Sequence, residues 1–312
     1  MMIEKKIKKN YDLTDANTFR LSGCAEFFLS VKNKNELRSA ARWAKEKKMP
    51  LSVLGGGSNV IIKQKKIKGL VIKITGAAYS VKKRNVKSWS GTSLTGLSKI
   101  AERSGLTGLE WANGIPGTIG GAVRGNAGAY GFSLSDSAVE VEVYDRSRDK
   151  FIKLDKAACG FSYRHSIFKK RKDLVIIGVK LELAKGKMGE IKKLGGQNLA
   201  LRLAAKPKEP SAGCIFKNLE FNKLVRINKP LAEGLAAKGL VRAGKIGVGC
   251  LIDQLNLKGK TMGRAKVSLK HANFIINNGG AKAGDVVGLI KLIKQKIKNR
   301  YKIDLEEEVQ YF

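Results

Sequence analysis

The sequence predicts an α+β fold with more than one domain, and three observations carry that prediction. With 312 residues and 43% apolar content, the chain is long enough to build more than one core. Apolar runs of strand length alternate with stretches of helical periodicity through most of it. Residues 185–208 are lysine-rich, broken by Gly195-Gly196 and closed by Lys206-Pro207-Lys208-Glu209-Pro210, so they read as a boundary before a second domain.

The elements follow in order. After a basic leader, residues 17–31 read as a turn feeding a short strand. Asn33 or Asn35 then caps a helix in which Leu37, Ala41 and Ala44 recur at helical spacing. The strand Leu51-Ser52-Val53-Leu54 delivers Gly55-Gly56-Gly57-Ser58-Asn59 to a second apolar run, Val60-Ile61-Ile62. Three glycines followed by Ser and Asn form a backbone nest whose N–H groups suit a pyrophosphate. It is neither a GxGxxG turn entering a helix nor a P-loop, because no Gly-Lys-Ser/Thr follows. Strands at 70–74 and 86–90 and a helix at 94–104 lead to residues 114–131, where seven of eighteen positions are glycine and the only charge is Arg124. Such a segment brings bare backbone close to an anion or a planar cofactor carrying phosphates.

Residues 139–144 alternate with period two, as a strand with one wet face does. The cluster Phe161-Ser162-Tyr163-Arg164-His165-Ser166 precedes a basic run and an apolar strand at 174–183. Beyond the boundary, Pro210-Ser211-Ala212-Gly213-Cys214-Ile215-Phe216-Lys217-Asn218 opens the second domain. Residues 243–254 read as a helix, 271–277 as a strand, and 285–300 as an amphipathic helix with Val286, Leu289, Ile290, Ile293 and Ile297 inward. The tail from Ile303 mixes Glu306, Glu307 and Glu308 with strand-like residues.

Charge and cysteine usage narrow the function. Sixty-one basic against 26 acidic residues give a net charge of +35, which by itself suits a nucleic-acid partner. The lysines are scattered, however, and lack interleaved aromatics for stacking bases, so the reading is a solvated basic surface with no nucleic-acid partner. Cys24, Cys159, Cys214 and Cys250 lie far apart without a CxxC pair, which indicates neither a metal site nor a disulfide framework. No apolar run is long enough to cross a membrane, and the leader has no apolar signal segment, so a cytoplasmic protein is expected.

Six motifs, 54–59, 114–131, 161–166, 210–218, 270–277 and 305–309, occur in the order and spacing of the UDP-N-acetylenolpyruvoylglucosamine reductases, and the chain resembles that family from about Asn17 to Val309. It is similar to the shorter subtype, with no long insertion between Arg164 and the Pro210 motif. The resemblance implies a vanillyl-alcohol-oxidase-type FAD-binding region of two α/β subdomains, 1–75 and 76–205, and a smaller α+β substrate domain, 206–312. It also implies a monomer that holds FAD noncovalently. NADPH would reduce the flavin, and UDP-N-acetylglucosamine enolpyruvate would then take a hydride at C3 and a proton at C2.

By the same resemblance, FAD would be held by Leu54, Gly55, Gly56, Gly57, Ser58 and Asn59, and by Ile115, Pro116, Gly117, Thr118, Gly120, Gly121, Asn126 and Gly128. Substrate would meet Tyr130, Tyr163, Gly213, Lys217 and Asn218. Hydride addition beside a carboxylate builds negative charge there, and Arg164, carried over from the Tyr-Arg-x-Ser motif, would stabilise it with a two-pronged grip. Glu308, from the Leu-Glu-x-Glu-Val ending, would assist as a protonated or hydrogen-bonding partner. Cys214 stands where the family has serine or cysteine and would be the proton donor, since a thiol is a far stronger acid than a hydroxyl.

Overall fold

The structure is a computed structural model that describes residues 3–312; Met1 and Met2, the start of the basic leader, lie outside the described residues. The chain divides into two compact units. One comprises the chain up to Asp12, Cys24–Gly56 and Lys66–Ala204; the other comprises Leu13–Gly23, Gly57–Lys65 and Ala205–Phe312.

The first unit begins with β1 (Lys8–Asp12) and β2 (Cys24–Val31), so part of the basic leader forms an edge strand. The helix α1 (Lys34–Glu46) follows, then β3 (Leu51–Leu54). The Asn33 side chain accepts from the Glu36 N–H at 2.9 Å, which caps α1 where the sequence placed a cap. The next strands are β4 (Val60–Ile61), which belongs to the other unit, and β5 (Lys66–Ile74). A four-stranded sheet runs β1-β2-β5-β3, antiparallel at β1–β2 and parallel elsewhere. Leu37, Ala40, Ala41 and Ala44 of α1 bury one helix face against Leu29, Val31, Leu70 and Ile72 of this sheet.

The unit continues through β6 (Tyr79–Lys82), β7 (Asn85–Trp89), α2 (Leu94–Arg103), α3 (Ile119–Gly125), β8 (Ala138–Asp145), β9 (Lys150–Asp155) and β10 (Leu174–Glu182). These strands form an antiparallel sheet in the order β9-β8-β10-β7-β6. Strand β10 is buried on both faces. Its Leu174 and Ile176 join the core beneath α2 and α3, whereas Val175 and Ile177 join the core of the first sheet. That double burial explains its near-continuous apolar run.

Residues 188–205 differ from expectation. The lysine-rich stretch taken for a boundary linker is the helix α4 (Met188–Ala205), with Ile191, Gly195 and Asn198 buried along one side. The glycine pair hid it. Gly195 lets the helix pack close, since a Cβ there would lie 2.6 Å from the Asn113 side-chain amide.

The second unit holds β11 (Ser211–Cys214), α5 (Phe221–Ile227), α6 (Lys229–Ala237), α7 (Val248–Gln254), β12 (Thr261–Met262), β13 (Ala265–Val267), β14 (Phe274–Asn277), α8 (Ala283–Tyr301) and β15 (Gln310–Tyr311). Its main sheet is antiparallel in the order β11-β14-β13-β12. The five apolar residues expected to face inward from α8 are all buried. Two spans are shorter than the sequence suggests. Residues 243–247 form a turn and a paired strand end rather than the first turn of a helix, because Lys245 and Ile246 pair with Val241–Arg242 and with Leu219–Glu220. Residues 271–273 form a turn before β14.

Two segments that the division at residue 75 assigns to the N-terminal part pack instead with the C-terminal part, and the cause is hydrogen bonding. The Thr18 hydroxyl donates to the Ser211 carbonyl at 2.8 Å, and the Ser211 N–H donates to the Thr18 carbonyl at 3.2 Å. Asn277 donates to the carbonyls of Phe19 (3.0 Å) and Arg20 (3.2 Å). Strand β15 pairs in parallel with β4, which ties the tail to residues 60–61.

Candidate functional site

In the first unit, the two glycine-rich stretches touch. A Cβ at Gly56 would lie 2.7 Å from the Gly117 Cα, and one at Gly55 would lie 2.8 Å from the Thr118 hydroxyl. A side chain at Gly56 would meet main chain and force the two loops apart. Leu54, at the end of β3, is 2% exposed, so its side chain belongs to the core and only its main chain remains for a ligand. The contact makes one cradle of main chain from two loops far apart in sequence, which suits a cofactor carrying phosphates.

Part of the loop's donor capacity is spent internally. Gly120 N–H donates to the Ser90 carbonyl at 2.8 Å, Ile119 N–H to Thr92 at 2.9 Å, and Ile115 N–H to Ala112 at 3.1 Å. Gly121 N–H meets the Thr118 hydroxyl at 3.5 Å, the N-cap of α3. The amides of Ile115, Gly120 and Gly121, expected to grip a ligand, therefore hold the loop itself. The Gly117 carbonyl accepts from Leu94 N–H at 3.1 Å, which fixes the peptide after Pro116.

Asn126 also has a different task from the one expected. It is 5% exposed and left-handed at φ 42°, closing α3. Its amide group donates to the Ser162 carbonyl (3.0 Å) and the Ser135 hydroxyl (3.1 Å) and accepts from Ser135 N–H (3.0 Å). The side chain is a clasp between three loops. Gly128 pairs with Ser133 in a short hairpin whose tip carries Tyr130 at φ 55°.

Ser162 and His165 exchange backbone bonds of 3.1 and 3.0 Å, so Tyr163 and Arg164 form the tip of a tight turn. Arg164 takes φ 53°, its guanidinium lies 5.6 Å from the Tyr163 ring centre, and its carbonyl accepts from Lys169 Nζ at 2.7 Å. Asn126 and a 2.7 Å bond from the Ser166 hydroxyl to the Arg124 carbonyl anchor this turn to the end of α3. The Arg164 turn is thus built onto the glycine loop.

Helix α4 straps that loop from the other side. Arg202 donates to the carbonyls of Asn113 and Trp111, both at 2.9 Å, just before Gly114. Its guanidinium lies 5.4 Å from the Tyr130 ring centre, and the Tyr130 hydroxyl donates to the Asn198 carbonyl at 3.1 Å. Neither Arg202 nor Asn198 was singled out from sequence, because α4 itself read as a linker.

In the second unit, Gly57 takes φ 65° and a Cβ there would strike the Ala16 carbonyl, so only glycine fits. The Gly57 carbonyl accepts from Thr18 N–H at 3.0 Å. Asn59, next after Ser58, donates from its side chain to the Glu308 carbonyl at 3.1 Å and accepts from Gln310 N–H at 3.0 Å. Strand β11 bulges before Cys214: Ser211 pairs with Ile276 and Cys214 with Phe274, so Ala212 and Gly213 oppose one residue. Gly213 lies there at φ 78°. Glu308 N–H donates to the Ile215 carbonyl at 2.7 Å, and Phe216 bridges to Glu307. Cys214 and Glu308 are therefore neighbours across joined main chains, and the acidic tail is a built element rather than a solvated end. Lys217 is paired: its Nζ lies 3.0 Å from Glu306 Oε2, and that hydrogen bond holds the Glu306 carboxyl below its ordinary range. Asn218 follows immediately, ahead of the strand end at Leu219.

Among the described residues, no group of three His, Cys, Asp or Glu side chains gathers to hold a metal, and no helix is long and apolar enough to cross a membrane. The glycine cradle of the first unit lies within residues that match an FAD binding domain, which places the chain among flavin-dependent oxidoreductases. Residues 25–154 match a family described as an FAD binding domain, and residues 206–312 match the C-terminal domain of UDP-N-acetylenolpyruvoylglucosamine reductase. The chain is 35% identical to the Solibacter usitatus reductase of that name, over 94% of this chain and 92% of the relative. It is 34% identical to the Acaryochloris marina reductase, over 98% and 92%. The crystal structure of the Thermus caldophilus reductase (MurB) superposes with a TM-score of 0.77 at 30% identity, covering 98% of each chain. The chain belongs to the UDP-N-acetylenolpyruvoylglucosamine reductase family.

Proposed function

We propose that this protein reduces UDP-N-acetylglucosamine enolpyruvate to UDP-N-acetylmuramate at the expense of NADPH, a step of peptidoglycan precursor synthesis. FAD, when bound, would supply the hydride-transfer chemistry that links NADPH to C3 of the enol ether. The residues that would hold it are the main chain of 54–59 and of 116–118, where the glycine contacts leave no room for side chains.

The chain's own residues then have three tasks. Arg164 binds the substrate carboxylate and stabilises the charge that builds on it. Cys214 gives its Sγ proton to C2, so an S–H bond breaks as a C–H bond forms, and the resulting thiolate is reprotonated from solvent. Glu308 hydrogen-bonds the same developing anion. Tyr130, Tyr163, Gly213, Lys217 and Asn218 line the way for the substrate, with Lys217 leaving Glu306 to meet an anionic group.

One observation supports the donor assignment above the rest: the 2.7 Å bond from Glu308 N–H to the Ile215 carbonyl sets the two proposed catalytic groups of this unit on adjoining main chain. The test is anaerobic. NADPH should bleach the flavin of the purified enzyme, and the enolpyruvyl substrate should restore its colour. Failure of the second step with a competent first step would refute the substrate assignment. We further propose a cytoplasmic monomer with no nucleic-acid partner; light scattering, and duplex binding that stays absent at low salt, check this.

A further inference from the structure

The main chain that follows Cys214 is not held by its strand alone. Asn273, 2% exposed, lies at the turn before β14. Its Oδ1 accepts from Phe216 N–H at 3.0 Å and its Nδ2 donates to the Phe216 carbonyl at 2.9 Å. Its own carbonyl accepts from Ile215 N–H at 2.8 Å. Three bonds from one residue thus grip the two residues after Cys214. On the other edge of the same two residues, Glu308 N–H meets the Ile215 carbonyl and Phe216 bridges to Glu307. Asn273 is the back wall of the joint that carries both groups.

We propose that Asn273 is a positioning residue for proton transfer, holding the Cys214 thiol and the Glu308 carboxyl in one fixed register; this rests on the assignment of Cys214 as proton donor. The chemistry of the side chain is specific. Only a short amide offers a donor and an acceptor at the spacing of one peptide group, whereas aspartate lacks the donor and glutamine is a methylene too long. A buried amide with both ends satisfied fixes geometry in a way an apolar residue of equal volume does not. The loop is itself braced: Asn273 N–H donates to His271 Nδ1 at 3.2 Å, and the Ser268 hydroxyl accepts from Lys270 N–H at 3.1 Å.

The experiment separates the two half-reactions in FAD-loaded enzyme by anaerobic rapid mixing. Asn273→Asp sets a carboxylate oxygen against the Phe216 carbonyl. It should leave flavin reduction by NADPH within about twofold while slowing reoxidation by the enolpyruvyl substrate about 100-fold, the cost of roughly 1 Å of misplacement. The solvent deuterium isotope effect on reoxidation should rise, because proton transfer becomes limiting. Asn273→Ala, which adds no charge, should show the same split. Equal slowing of both half-reactions, or reoxidation within about threefold of the unsubstituted enzyme, overturns the proposal. Cys214→Ala is run in parallel. If it reoxidises normally, the donor assignment fails and this inference with it; if it is slow while both Asn273 variants are fast, only the positioning role fails. Hydrogen exchange on the unsubstituted holoenzyme guards against variants that do not fold. The Phe216 N–H should be protected at least about tenfold beyond exposed loop amides, and exchange at the loop rate overturns the clamp.

Discussion

Cys214 and Arg164 make different demands on their surroundings, and the structure meets each with local backbone chemistry. Cys214 follows a bulge at Gly213, and Arg164 sits at a left-handed turn tip. Replacing Cys214 with alanine should leave the NADPH half-reaction near its normal rate and slow reoxidation by about 100-fold or more, the usual contribution of a positioned acid; stopped-flow absorbance of the flavin reads both. His271 offers a second test. Burial lowers its pKa, so the fold favours the neutral ring that accepts from Asn273 N–H. Above a pH of about 6.5 both folded and unfolded chains carry it neutral and it adds nothing to the pH dependence. As pH falls below that, the unfolded chain takes up the proton first, so stability declines with acidity. Thermal melts between pH 7 and 5 should show a decline that His271→Gln flattens. The motif residues at this scale were legible in the sequence because their types carry the chemistry. Asn273 and Arg202 were not, because their bonds run to main-chain atoms 57 and 89 to 91 residues away and leave no local pattern.

Elements with a clear period were readable, and elements whose reason is tertiary were not. Helix α1, with its Asn33 cap, and the inward stripe of α8 follow the spacing of their apolar residues. Helix α4 defeats that logic, since Leu194, Leu201 and Leu203 are exposed while a glycine and an asparagine are buried. Its function is to strap the glycine loop through Arg202. Arg202→Met should weaken FAD binding by the apoprotein about tenfold, read by quenching of flavin fluorescence, and should speed hydrogen exchange in residues 114–131; unchanged affinity would remove α4 from the cofactor site. Gly57→Ala strains a left-handed backbone and strikes the Ala16 carbonyl, so it should cost about 2–4 kcal/mol, measured by denaturant titration.

For the whole molecule, the order of domains along the chain is plainer in sequence than their true membership. The break in character near residue 205 is visible, but the transfer of Leu13–Gly23 and Gly57–Lys65 to the C-terminal unit depends on hydrogen bonds made by Thr18 and Asn277. Composition is equally silent on them. The net charge of +35 belongs to scattered basic residues that far outnumber the acids, although Lys6, Lys34 and Lys217 pair with Glu36, Glu142 and Glu306. FAD should stabilise the folded chain by about 2.7 kcal/mol at a hundredfold excess over its dissociation constant, seen as a rise in melting temperature on adding the cofactor to apoprotein. The measurement that bears most directly on the whole account is a double-mixing experiment without oxygen. NADPH is added to the flavin-loaded enzyme, and UDP-N-acetylglucosamine enolpyruvate follows. Flavin absorbance at about 450 nm should be lost on the first addition and return on the second, with one UDP-N-acetylmuramate formed for each NADPH consumed. A flavin that NADPH bleaches but that substrate leaves bleached would contradict the account.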